Sequence, residues 1–199
     1  SIAMVKVARS RFALSTQKMR RIKFLIDKGK ELNMPLAINM SLSTNDGAHN
    51  GSSLLEQYIS TVSATQRVTI VIAAGNEGEA AHHVGGTLED INEVYFNISS
   101  DESIVVINLY KSLLPDVSIE LLCPGGFSTG EIILKEGFNE GTIGNSRYSI
   151  YLTGPKPFDV SGEIGIMLTG INEFVSPGQW KITLRKVNEY DGKFDMWLP

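Results

Sequence analysis

The sequence predicts a chain in two parts: an α/β segment built on a parallel sheet, then an antiparallel all-β segment of the sandwich or jelly-roll kind. Three observations carry that prediction. Over the first 80 residues, apolar β-branched runs alternate with stretches of helical period. Beyond Gly78 the helical period vanishes and short alternating segments follow, broken by Gly, Pro, Asn and Asp. The total of 199 residues is enough for two modest domains, each with its own core.

Taken in order, "IAMVKVA" (Ile2–Ala8) is short and apolar on both faces, the pattern of a strand covered on both sides. From Ser15 to about Leu32 the period is helical. Met19, Ile22, Leu25, Ile26 and Leu32 share one stripe, with Lys18, Arg21, Lys28 and Lys30 mostly off it. Those cations read as a solvated helix surface rather than a phosphate-binding face. "PLAINMSL" (Pro35–Leu42) is a second buried strand, and the turn-rich "STNDGAHNGS" leads into a second helix. Ser53 and Glu56 fit a capping box at its start. Leu54, Leu55, Tyr58, Ile59 and Val62 supply its apolar stripe, and "RVTIVIAA" is the third strand. The order β-α-β-α-β with right-handed crossovers gives a doubly wound parallel sheet.

Three such strands in sequential order place both helices on one face. Because all three read as apolar on both faces, the other face should expose a hydrophobic patch. A second copy of the chain, or an exchanged segment, is expected to cover it, making a homo-oligomer.

The later segments are "EVYFNIS", "SIVVINLY", "VSIELLC", "GEIILK", "SRYSIYL", "GEIGIMLTG", "QWKITLRKV" and "GKFDMWL". Leu113-Leu114-Pro115-Asp116 and Pro124-Gly125-Gly126 interrupt them as turns. The boundary is expected between Glu79 and about Leu88, giving residues 1–80 to the α/β part and 81–199 to the β part.

Composition excludes several classes. Acidic residues outnumber basic ones, 22 to 18, so no broad basic face awaits nucleic acid. Cys123 is the only cysteine, which rules out an internal disulfide and a Cys-based zinc site. No apolar run approaches transmembrane length, and no membrane partner is expected.

The residue of most chemical interest is Asn76, in "VIAAGNEGEA" (residues 71–80). In open parallel sheets, ligands gather at the carboxyl ends of strands, where the loops converge on a crevice. Ala73, Ala74 and Gly75 have almost no side chain, so another backbone can approach closely. A carboxamide NH2 there can donate to a developing oxyanion without the desolvation cost of a cation. The plainer alternative is a turn that merely ends the strand, and spacing alone favours that alternative.

"VTIVIAAGNEG" resembles the segment that carries the oxyanion-hole asparagine in subtilisin-like serine proteases, the S8 peptidases. "INMSLS" is similar to the family strand, usually ending Ser-Leu-Gly, that lines the substrate cleft. "NDGAHNGSSLLEQYI" and "GNEGEAAHH" also resemble the subtilases of spore germination, which carry a jelly-roll insertion after this asparagine. The resemblance covers residues 1–80 by motif and the remainder by layout. It implies a partial subtilase core, residues 1–80, followed by a jelly-roll insertion domain, residues 81–199.

The resemblance also implies Asn76 as the oxyanion donor. Ser41, Leu42 and Ser43 would pair with an extended peptide substrate as an added strand, and Ala73, Ala74 and Gly75 would wall the pocket for the residue before the cut bond. Ser43 stands where the family most often has glycine, so the usual preference for large apolar groups need not hold. A spore-associated or secreted location follows only from the resemblance.

A hydrolase of this type also needs a serine nucleophile, a histidine base and an orienting aspartate. The family settings of all three, Asp-x-Gly, His-Gly-Thr-His and Gly-Thr-Ser-Met-Ala, are absent. The expectation is an internal fragment of a serine endopeptidase, inactive alone and needing no cofactor or metal. The alternative is a pseudoprotease acting as a binding or scaffold protein in germination. A third reading makes the β part a carbohydrate-binding module, with Trp180, Trp197 and the tyrosines as a sugar-stacking surface.

Three further motifs are decoys. "GFSTG" (Gly126–Gly130) matches the nucleophile elbow but lacks the helix that must follow, so Ser128 belongs in a β-turn. His82-His83 reads as a junction loop, since adjacent residues of a strand point to opposite faces and no further ligand completes a metal set. "NDGAHNG" lacks calcium-loop spacing and its closing Glu.

Overall fold

The computed structural model describes residues 2–7, 13–42, 44–76 and 78–198. It divides into two compact units, Ser1–Thr44 with Ala48–Gly78, and Asn45–Gly47 with Glu79–Pro199.

The first unit contains α1 (Ser15–Glu31), β1 (Leu36–Met40), α2 (Leu54–Thr65) and β2 (Val68–Ile72). Helix α1 ends where Asn33 turns left-handed, at φ 50°, and the Met34 amide reaches back to the Gly29 carbonyl at 2.9 Å. Such a left-handed cap satisfies carbonyls the helix cannot. Helix α2 starts on the expected capping box. The Glu56 amide donates to Ser53 Oγ at 3.3 Å, and the Ser53 amide donates to Glu56 Oε2 at 3.1 Å. Strands β1 and β2 pair in parallel, Leu36 opposite Val68 and Met40 opposite Ile72. Ile22, Ile26 and Ile38 form the buried centre, with Leu36, Met40, Tyr58, Ile59, Val62, Val68 and Ile70 packed around it. Both helices therefore share one face of the sheet.

Three expectations are corrected here. The segment Ile2–Val7 forms no strand: it joins no ladder, and Ile2 and Met4 are almost fully exposed. Its β-branched composition records propensity for a pleated surface, but a strand also needs a partner to satisfy its backbone. The described sheet of this unit thus has two strands and not three. Its open face is not uniformly apolar either, because β1 and β2 alternate and turn Ala37, Asn39, Thr69 and Val71 outward. Finally, Leu32 and Leu54 lie exposed at the helix ends, beyond the reach of the cluster their periodicity pointed to.

The second unit packs two antiparallel sheets into a sandwich. One has six strands in the order β3 (His83–Thr87), β12 (Lys193–Trp197), β5 (Ile104–Lys111), β10 (Gly162–Gly170), β9 (Ser146–Thr153) and β8 (Gly137–Ile143). The other has four, in the order β4 (Ile91–Ile98), β11 (Gly178–Lys186), β6 (Val117–Leu122) and β7 (Ile132–Ile133). Inward positions alternate with outward ones, as a two-layer core requires. Ile107, Leu109, Ile150, Ile164 and Ile166 from the larger sheet meet Ile119, Leu121, Trp180, Ile182 and Leu184 from the smaller, all buried. Trp180 is fully enclosed and its indole Nε1 donates to the Ser176 carbonyl at 2.8 Å, so the ring loses no hydrogen bond on burial.

Lys111 is buried at the end of β5 and donates to the carbonyls of Ser112 at 3.2 Å and Pro115 at 2.5 Å, pinning the following loop. Desolvation pushes its ammonium pKa below the ordinary value.

Strands β3 and β8 are absent from the sequence reading, and β3 corrects the junction loop assigned to His82-His83, since His83 opens it. Both are edge strands rich in glycine, with weak alternation of apolar residues.

Replacing Trp180 with alanine should destabilise the sandwich by about 3–5 kcal/mol, the range for a fully enclosed large aromatic. Urea unfolding followed by far-UV circular dichroism checks this; a loss under about 1 kcal/mol would mean the ring is not central to the core.

Candidate functional site

The parallel ladder brings two segments side by side at its carboxyl end. Beyond the last paired residues, the Ala73 amide still donates to the Met40 carbonyl at 3.1 Å, so the chain leaving β1 runs beside the chain leaving β2. Ser41 and Leu42 lie on the first of these, Ala73, Ala74 and Gly75 on the second, and all five are exposed. Ser43 falls outside the described residues.

Gly75 has φ 96°, a conformation that L side chains rarely adopt, and a Cβ built there would meet nothing within 4 Å. The glycine is therefore needed for the turn and not for a close approach. Asn76 follows on a bend, exposed and not packed into an interior. Within this cluster Asn39 Nδ2 donates to Ser41 Oγ at 3.1 Å, which orients the hydroxyl.

No ionisable side chain belongs to Ser41, Leu42 or the Ala73–Asn76 run. The donor on offer is a neutral carboxamide, with backbone amides around it. Such a group can stabilise negative charge developing on a carbonyl oxygen but cannot itself move a proton at neutral pH. A cavity of about 270 Å³ lies at the opposite, amino end of the strands, lined by Ile26, Lys30, Met34, Leu36 and Arg67. It is remote from Asn76 and forms no part of this cluster.

The decoy motifs have structural occupations. Ser128 Oγ donates to Glu120 Oε1 at 2.6 Å and accepts from the Gly130 amide at 2.8 Å, and no helix follows. In the second unit Asn45 Nδ2 donates to the Leu198 carbonyl, just past β12, at 2.9 Å. Among the described residues no three His, Cys, Asp or Glu side chains gather as a metal site. Trp180, offered as a sugar-stacking residue, is in the core and unavailable.

Sequence reasoning missed a histidine–aspartate contact. His83 Nε2 lies 3.0 Å from Asp195 Oδ1 across β3 and β12, and its ring stacks on Trp197 with centroids 4.8 Å apart. Asp195 can reach over because Gly85 has no side chain: a Cβ there would come within 2.4 Å of that carboxylate oxygen. The legible signal was the alternation of His83 with Gly85 and of Asp195 with Trp197.

No protein-family model matches the chain, and no curated protein matches it. A solved structure described as that of the Clostridium perfringens CspB protease is 49% identical, with a TM-score of 0.89 over 95% of this chain. The chain spans 41% of the length of that solved chain.

The Ser128 geometry gives a pH test. The hydrogen bond from Ser128, with help from Arg185, holds the Glu120 carboxyl below its ordinary value. Because the folded value is depressed, the linked stability is present above the ordinary value and is lost as pH falls through the folded one. Ser128→Ala should move Glu120 upward in a carboxyl-carbon NMR titration and flatten that acid-side loss; an unmoved Glu120 would show that the hydroxyl carries neither role.

Proposed function

We propose that this chain is the central segment of a subtilisin-like serine endopeptidase of the germination type, supplying the oxyanion donor and the substrate cleft but not the catalytic triad. The observation that supports it best is the exposed Asn76 at the carboxyl end of a parallel pair, in a chain 49% identical to part of a protease. In this reading residues 1–80 are part of the protease core and residues 81–199 a jelly-roll insertion.

The chemistry follows from the site's neutrality. As a serine from elsewhere in the parent protein attacks a peptide carbonyl, the oxygen gains negative charge. The Asn76 carboxamide, already held by the turn at Gly75, donates to that oxygen more strongly in the transition state than to the uncharged substrate. A lysine in its place would bind the ground-state carbonyl dipole strongly as well and would need desolvating. Ser41, Leu42 and Ser43 offer backbone groups to an extended substrate, which adds to them as a strand. Ala73, Ala74 and Gly75 leave room on the other wall for the side chain preceding the scissile bond. The chain alone has no nucleophile or base for this reaction and hydrolyses nothing.

The test uses the full-length parent. Asn76→Ala should lower kcat by roughly 10²–10³ with KM little changed, a magnitude carried over from the equivalent donor in subtilisin itself. Circular dichroism should show the fold intact, since the side chain is exposed. An unchanged kcat would remove Asn76 from the catalytic machinery and with it this reading of the site.

A further inference from the structure

The outer face of the six-stranded sheet carries a row of side chains that the core does not use. Ladder registers align Phe138, Tyr151, Gly165, Asn108, Trp197 and His83 across all six strands. Phe138 and Tyr151 are exposed, while their neighbours in sequence turn inward.

Gly165 stands in the middle of this row on a central strand, where glycine weakens a ladder and fills no space. The usual internal reasons for it are missing. Pairing on both sides is one-to-one, so there is no bulge; φ is not positive; and a Cβ built there would meet nothing within 4 Å. The remaining reason is room for something outside the molecule. Trp197 is already held, with His83 stacked on it at 4.8 Å and Tyr110 edge-on at 5.9 Å. Two neighbouring carboxylates are engaged, Glu163 by Lys156 and Asp195 by His83, and the exposed Glu140 stands at the rim opposite Ser149.

We infer that the opening over Gly165, between Tyr151 and the Asn108–Trp197 side, binds a neutral oligosaccharide. Its aromatic faces stack against the apolar faces of sugar rings, while Asn108, Ser149 and Thr153 offer uncharged hydrogen-bonding groups to hydroxyls. An anionic ligand finds no lysine or arginine in the row, and the His83 ring is engaged by Asp195. An added peptide strand would need an open backbone edge, which the middle of a sheet lacks. Tyr151 and Trp197 are three strand spacings apart, about 14 Å, so the surface suits an oligosaccharide better than a single sugar. This inference does not depend on the protease reading.

The test titrates the whole chain with chitohexaose and with cellohexaose, followed by amide NMR. Shifts should cluster at Asn108, Tyr151, Gly165 and Trp197 with at least one of them. Tyr151→Ala should weaken binding by up to about tenfold, as expected for the loss of one stacking contact. Gly165→Trp should fill the opening and abolish binding, while Gly165→Ala should bind. Thermal midpoints should stay near wild type, since none of these positions lies in the core; should Gly165→Trp fail to fold, the exposed Tyr151→Ala carries the test. No shift with either sugar overturns the inference, as does undiminished binding by Gly165→Trp. A Tyr151→Ala variant that changes the sedimentation coefficient and leaves sugar binding intact would assign the face to contacts between copies, and would overturn it equally.

Discussion

The candidate site depends on the register of one parallel pair. Met40 faces Ile72, and the Ala73 amide still finds the Met40 carbonyl, so the loops leaving β1 and β2 start level with one another. A slip of one residue would turn Ile70 outward and Thr69 inward, because successive strand side chains point to opposite faces. The cluster centred on Ile22, Ile26 and Ile38 forbids that slip. Helix packing thus sets strand register, and strand register sets where Asn76 lies. A carboxamide outside both helices is positioned by their apolar stripes.

Several charged groups elsewhere pair across or along elements. Lys181 meets Glu93 at 2.7 Å and Arg185 meets Glu120 at 2.9 Å across the smaller sheet, and Lys23 meets Asp27 at 2.7 Å along α1. Such partly exposed pairs contribute little to stability individually. The two surfaces argued to be functional, the turn at Asn76 and the row through Gly165, are by contrast built from neutral amides, hydroxyls and rings. Both would act by preorganised dipoles and shape, with no dependence on a shifted pKa.

Helix α1, the Ser53–Glu56 box and most sandwich strands were legible because each is written in local terms: period, cap or alternation. The failures share one cause. Ile2–Val7 has strand composition without a partner, while β3 and β8 have partners without strand composition. His83–Thr87 reads as a glycine-rich loop and becomes a strand only because β12 supplies its ladder. Gly137–Ile143 does so because Gly144-Asn145 turns it back onto β9. The Gly-Asn pair was a hairpin signal that the segment's polar composition masked. For the site, the motif marked Asn76, but the φ at Gly75 and the open space above it belong to three dimensions.

The sandwich is wired between distant parts of the chain. His83 meets Asp195 112 positions later, and β4 finds its partner only in β11. During synthesis the early strands therefore emerge with apolar faces and unpaired edges, and cannot close until β11 and β12 have been made. Assembly of such a topology is slow and exposed to aggregation in the interval. Deleting Lys193–Trp197 would remove β12, leaving β3 unpartnered and β5 with a raw edge, so this short strand weighs on assembly out of proportion to its length.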